Sequence, residues 1–256
     1  MSLPRVDWRK ALPPLVPAVV VLGTLEGLVR GGIVPAFLVP APSAVASALV
    51  HDGSALYPPL AQTTKAAVLG FALSAMLGTM VAVLLASSRA LQSALYPYAV
   101  FLQTVPIVSV APLLVIWFGW DRAALASATI VSVFPVIANT LTGLRSTDPP
   151  LVDLFRLYGA SRTAALFKLH IPAAMPQVFT GLRIAGGLAV IGAVVGEFIT
   201  GQGIGGAIMV AQQQQRVELV FAGILLASLL GLALFALINL AASLTLSRWH
   251  ASEAKD

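Results

Sequence analysis

Few residues in this chain of 256 could do chemistry, and their spacing decides which chemistry is open to it. There is no cysteine, which excludes thiolate nucleophiles, disulfides and cysteine-based metal sites. His51, His170 and His250 are isolated from one another, and no His/Asp/Glu cluster has metal-ligand spacing. No nucleophile–base–acid set emerges either, so no catalytic residue and no metal are expected. The run GQGIGG at 201–206 has the glycines of a phosphate loop but lacks the preceding strand and the lysine. No Gly-Lys dipeptide occurs anywhere in the chain, so any ATP and magnesium must be held by another protein. What remains is a small set of polar residues in apolar surroundings: Glu26, Gln103, Thr104, Asn139 and Glu197, plus one polar segment at 151–176.

The elements that carry these residues follow from composition. The chain is 58% hydrophobic and 10% charged, with a mean hydropathy of +0.92. Soluble domains carry roughly 25% charged residues, and charge-free runs of about 20 residues match a hydrocarbon core about 30 Å thick. An all-α integral membrane protein is expected, with about six spans near 13–29, 66–88, 92–118, 123–143, 176–200 and 219–246. Pro97, Pro106 and Pro112 predict a bent third span facing the bundle. Residues 31–65, broken by Pro, Gly and Ser, read as a surface loop with a short helix from Ser43. The organisation is then an N-terminal span and outer loop (1–65), a core membrane domain (66–247) and a tail (248–256).

Charge gives the orientation. Eleven of the 15 lysines and arginines fall on one side of six spans, Arg183 among them; only Arg30, Lys65, Arg122 and Arg216 fall on the other. The positive-inside rule places the richer side, both termini and segment 151–176 in the cytoplasm. Basic residues scattered between apolar runs argue against nucleic acid despite the net charge of +5. Arg5, Arg9 and Lys10 precede an apolar run with no small-x-small cleavage pattern, which reads as a retained first helix.

Segment 151–176 is LVDLFRLYGASRTAALFKLHIPAAMP. Asp148 caps a helix whose first position is Pro149, and Leu151, Leu154, Phe155 and Tyr158 form its apolar stripe. Gly159 ends that helix, Ser161 caps a second through His170, and Pro172 closes it. A helix–Gly–helix element too polar to span is expected between spans four and five, either as a plain amphipathic connector or as a docking element.

The segment resembles the cytoplasmic loop of ABC-importer permeases, E-A-A, three residues, Gly, nine residues, I-x-L-P. Gly159 is followed nine residues later by Leu169-His170-Ile171-Pro172, while Asp153-Leu154-Phe155 stands where the family has Glu-Ala-Ala. VPAPSAV (39–45), PLLVIWFGW (112–120), FPVIANTLTGLRSTDP (134–149) and LVFAGILLASLLGLALF (219–235) resemble the nitrate/sulfonate/taurine-type permeases of that superfamily. The resemblance implies a type I ABC importer fold in the bacterial inner membrane and a homodimer. It also implies two ATPase subunits beneath, a periplasmic or lipid-anchored solute-binding protein above, and a small anionic solute: nitrate-, sulfonate- or taurine-like, an aromatic acid or a vitamin precursor. The coupling loop then spans 146–173, with Asp153, Leu154, Phe155, Arg156, Gly159, Ala160, Ser161, Arg162, Phe167 and Pro172 as its ATPase-coupling residues. An ion-coupled secondary carrier and a non-transporting scaffold are the other readings; the first needs coupling acids near the midplane.

Within the spans, Gln103, Thr104, Asn139 and Glu197 are the candidate path residues. For Glu197 the alternative is an interfacial carboxylate hydrogen-bonded to neighbouring helices, and a bare carboxylate would repel an anion. Glu26 is expected to snorkel or to pair with Arg30. Gly192-x-x-x-Gly196 allows close helix approach, either at a dimer interface or within the subunit.

Overall fold

The computed structural model describes residues 8–246, with side-chain surroundings from residue 16 onward; the expected tail at 248–256 and Arg5 lie outside the described residues. Eleven α-helices and one π-helical turn follow one another, with no strand among the described residues. They are α1 (Trp8–Arg30), α2 (Pro42–His51), α3 (Gly53–Ala86), α4 (Arg89–Thr104), α5 (Ile107–Phe118) and α6 (Trp120–Arg145). Then come α7 (Pro149–Leu157), α8 (Arg162–Ala165), the π-turn (Leu166–His170), α9 (Ile171–Thr200), α10 (Gly203–Gln213) and α11 (Val217–Leu246). Helix α3, helix α6, the continuous run 162–200 and helix α11 are long and apolar enough to cross a membrane. The α4–α5 pair makes a fifth crossing if counted as one broken span. Helix α1 presents Val19, Val20 and Val21 outward.

Helices α6 and α9 form the centre. Gly192 leaves no room for a side chain, because a Cβ there would stand 2.8 Å from the Ala128 Cα; Gly196 meets the Ala124 Cα at 2.7 Å. The Ser127 hydroxyl crosses the same seam to the Gly192 carbonyl at 2.7 Å. The small-residue pair thus serves contact within the subunit, where it brings two backbones close enough for dispersion and a hydrogen bond to hold them. Helix α3 packs on α6 in the same way, with Gly70 against Ala128 and Gly78 against Val136. Helix α11 closes the other flank of α9, where Leu234 and Ile238 join Ala189 and Ala193 in the largest apolar cluster.

One boundary differs from expectation. Residues 53–65 are helix rather than loop, so α3 runs 34 residues and the division expected at 65/66 falls inside it. Pro58 and Pro59 mislead there: they lie in the second turn of α3, ahead of its long apolar run. The third span is bent, as its prolines predict, by 99° between α4 and α5. Pro106 holds Val105 extended (φ −68, ψ 122), which stops α4. The pair is only partly turned to the bundle: Ala99, Ala111 and Leu114 are buried, whereas Phe101, Ile116 and Trp117 face outward.

Helix α2 is tied down by charge. Glu26 accepts from the Ser43 amide (3.0 Å) and hydroxyl (2.6 Å) and pairs with Arg30, as expected. Asp52 receives both terminal nitrogens of Arg216 at 3.1 and 2.9 Å. That guanidinium holds the Asp52 carboxyl below its ordinary range, and the acid in turn raises the arginine.

Candidate functional site

Two constructions stand out, at opposite ends of the bundle. The first is built by residues 146–173. Helix α7 starts on Pro149 and Pro150, and Asp148 makes no side-chain cap, contrary to expectation. The physical reason is that neither proline has an N–H to cap, and the first free amide, Leu151, already bonds the Asp148 carbonyl at 3.1 Å. At its far end the Gly159 amide bonds the Arg156 carbonyl and the Ala160 amide bonds the Phe155 carbonyl, both at 3.0 Å. This doubly bonded C-terminus requires a left-handed residue, and Gly159 supplies it at φ +65. The Ser161 hydroxyl then accepts from the Ala164 amide at 3.2 Å, capping α8 as predicted.

Pro172 does not close this helix. The chain continues through a π-turn at Leu166–His170 into α9, and the Ile171 amide bonds back to the Leu166 carbonyl, five residues earlier. A π-turn widens the backbone where a proline ring would otherwise press on the carbonyl four residues before it, so the helix survives its proline. His170 anchors the turn through Nδ1 to the Thr147 hydroxyl at 2.9 Å, and Leu169 is buried beside it.

The apolar side chains of this element divide in two, and the division is not the stripe expected. Val152 and Phe155 point inward to a cavity of about 590 Å³ shared with Val83, Leu144 and Leu166. Phe155 thereby occupies space that an alanine would leave empty. Leu151, Leu154 and Tyr158 of the expected stripe are exposed instead. Leu157 is 85% exposed, Tyr158 83% and Phe167 67%. Asp153 and Arg156 pair with each other at 3.3 Å in solvent. Ala160, Ser161 and Arg162 complete the turn. The result is a capped knob with an exposed polar rim and an apolar outer face. Sequence reading missed Leu157, the most exposed of them, because it lies off the i, i+3, i+4, i+7 set.

The second construction surrounds Glu197, which is only 2% exposed. Its Oε2 accepts from the Thr63 hydroxyl at 2.9 Å and the Gly205 amide at 3.0 Å. The Ile204 amide donates to Thr63 at 2.8 Å and the Gly203 amide to Gln62 at 3.1 Å. The first three amides of α10 are therefore met by side chains of α3 and α9, and a carboxylate at a helix N-terminus is favoured. The glycines of GQGIGG explain themselves here. A Cβ on Gly203 (φ +59) would fall 2.1 Å from the Glu197 carboxylate, and one on Gly206 2.2 Å from the Gly201 backbone. Thr63 and Gln62 carry no sequence signal that could have found them.

The remaining expected path residues do not converge. Gln103 and Thr104 are exposed beside the α4–α5 bend, where the Thr104 hydroxyl bonds the Phe101 carbonyl. Asn139 is half-buried on α6, donates to the Pro135 carbonyl at 2.9 Å and has Gly181 against its Cβ. No hydrogen bond joins these three or Glu197 to one another among the described residues.

Comparison with known proteins agrees with this architecture. The profile of the family described as "Binding-protein-dependent transport system inner membrane component" matches residues 70–245. The formylaminopyrimidine transport permease protein ThiX of Halalkalibacterium halodurans is 35% identical over 208 residues, 79% of this chain and 82% of that protein. The putative aliphatic sulfonates transport permease protein SsuC of Bacillus subtilis is 33% identical over 234 residues, 89% of this chain and 83% of that one. Among solved structures, an amino acid ABC transporter crystallised with histidines superimposes with a TM-score of 0.64 at 16% identity, covering 76% of this chain and 96% of that one.

Proposed function

The chain belongs to the inner membrane components of binding-protein-dependent transport systems, and from that premise we propose that it is the membrane path of an ATP-driven importer for a small anionic solute. The observation that carries this reading is the knob at 146–173. Its backbone is fixed at both ends, yet it turns Leu157, Tyr158 and Phe167 to solvent. A stable element that leaves large apolar side chains exposed beyond a polar rim is built for a partner. The partner proposed is an ATPase subunit, two per transporter, binding the ATP and magnesium for which this chain has no phosphate loop. A binding protein delivers the solute on the opposite face. A second copy of the chain completes the path, and both termini are cytoplasmic. The orientation is supported by ten of 15 basic residues on the inner side once Arg183 is set aside.

ATP-driven closure of the ATPase pair would move the two knobs, and the continuous run 162–200 would carry that motion into α9 as a shift between two packings. The solute class rests on the resemblance to sulfonate-type permeases; the formylaminopyrimidine relative shows how far solutes range within the family.

The test is Gly159→Val. A β-branched residue at φ +65 is strained, so the knob should lose its fixed shape while the spans still insert. With the partner subunits present, ATP hydrolysis should persist at a basal rate and lose its dependence on the loaded binding protein, with uptake abolished. Normal uptake and normal stimulation in this variant would overturn the proposal.

A further inference from the structure

Arg183 was counted among the inner-side charges, but the structure places it inside a span. It lies 12 residues beyond Ile171, about 18 Å along α9 at roughly 1.5 Å per residue. Its height can be read against α6. Gly181 abuts the Pro135 carbonyl and Asn139, and Gly192 abuts Ala128, so Arg183 is level with the turn around Pro135. From there Arg145, at the inner end of α6, is 10 residues away, about 15 Å. Trp120, at the outer end, is 15 residues away, about 22 Å. A charge so deep is unfavourable in hydrocarbon and beyond easy snorkelling to either face.

Nothing among the described residues neutralises it. Arg183 takes part in none of the four ion pairs among the described residues. Its Nε is buried without a hydrogen-bond partner, while the side chain as a whole is half-buried. Yet there is space beside it. Gly187, one turn further along the same side of α9, has nothing within 4 Å of its Cβ position. Ile184, next in the chain, is 49% exposed.

We infer that Arg183 is an anion-binding station inside the membrane, taking the carboxylate, sulfonate or comparable oxyanion group of the solute as it passes. The guanidinium suits this role, since its forked donors match two oxygens of an acid group. It also supplies the cation that the expected path residues lack. Gln103, Thr104 and Asn139 are neutral and Glu197 is occupied by the N-terminus of α10. The inference deepens the importer reading and rests on it for the identity of the anion.

The cysteine-free chain makes a direct test possible. A single Gly187→Cys places a thiol where the structure leaves room. In membranes holding the chain with its ATPase partner, the thiol is reacted with methanethiosulfonate ethylsulfonate, itself an alkyl sulfonate, and with its trimethylammonium counterpart. Arg183 should make the anionic reagent the faster one, and Arg183→Gln should lower the anion-to-cation rate ratio roughly tenfold, the smaller end of the effect of a charged cleft. Arg183→Lys should retain the preference, and the ratio in the parent Gly187→Cys protein stands as a measurement even if Arg183→Gln fails to fold. Absence of reaction with either reagent would overturn the inference, because the residue would then face lipid or packed protein. So would a ratio that ignores charge. Failure of the importer reading has a different signature, normal behaviour of Gly159→Val, and leaves the labelling ratio untouched.

Discussion

The knob at 146–173 and the cradle around Glu197 use the same parts to opposite ends. Each joins a glycine-bearing turn to a short helix whose N-terminus is met by side-chain oxygen. In the cradle, α3, α9 and α10 converge, and the Glu197 Oε2, the Thr63 hydroxyl and the first three amides of α10 have partners in the same subunit. In the knob, Gly159 has open space around it and Asp153 and Arg156 pair only in solvent. The lesson is that a satisfied polar network marks where the subunit holds itself together, whereas exposed apolar bulk marks where it expects something else.

That contrast can be broken by substitution. Gly206→Val should have the largest effect, since a Cβ would meet the Gly201 backbone and cannot be relieved by a rotamer change. Little folded protein should survive in detergent, as read by size-exclusion chromatography. Glu197→Ala comes next. It strands the Gly205 amide, at about 1–3 kcal/mol, while the Thr63 hydroxyl keeps the Pro59 carbonyl, and should lower Tm clearly, with Glu197→Gln intermediate. A Glu197→Ala Tm equal to the parent's would mean that the cradle is not what secures α10.

The Asp52–Arg216 pair, outside the spans, should contribute less and with a definite pH dependence. The Asp52 pKa is lower in the folded protein than unfolded, so its stabilisation is present above the ordinary carboxylate range and lost as pH falls through the lowered value. Tm should therefore drop more steeply on acidification in the parent than in Asp52→Asn. Smallest of all, Leu157→Ala with Tyr158→Ala should change stability by no more than about 0.5 kcal/mol per site, because both side chains are already in solvent. The same pair should abolish stimulation of the ATPase, which would sharpen the contrast; a large loss of Tm would erase it.

Much of the knob was legible in advance because its signals are local. A glycine at a helix end, a serine before a helix and paired prolines act through the few residues next to them. The apolar runs were legible for a similar reason, since a span is set by length and composition alone. Pro172 was misread because proline's effect depends on the width of the turn before it, and the π-turn widens that turn. The outward turn of Leu154 and Tyr158 was hidden because a helix pattern gives a face without saying what the face meets.

The sequence by itself determined an all-helical membrane chain and the polar knob, since hydropathy, charge bias and local turn chemistry need no knowledge of distant neighbours, and its motifs carried the resemblance to a family. Only the tertiary structure decided what the polar residues inside the spans do. Glu197 meets Thr63, 134 positions away, and became the cap of α10. Arg183 became a deep cation with no ion pair among the described residues once the packing of α9 on α6 fixed its height. Burial and pairing are properties of contacts between helices, and side-chain chemistry in a membrane is governed by those contacts more than by residue type.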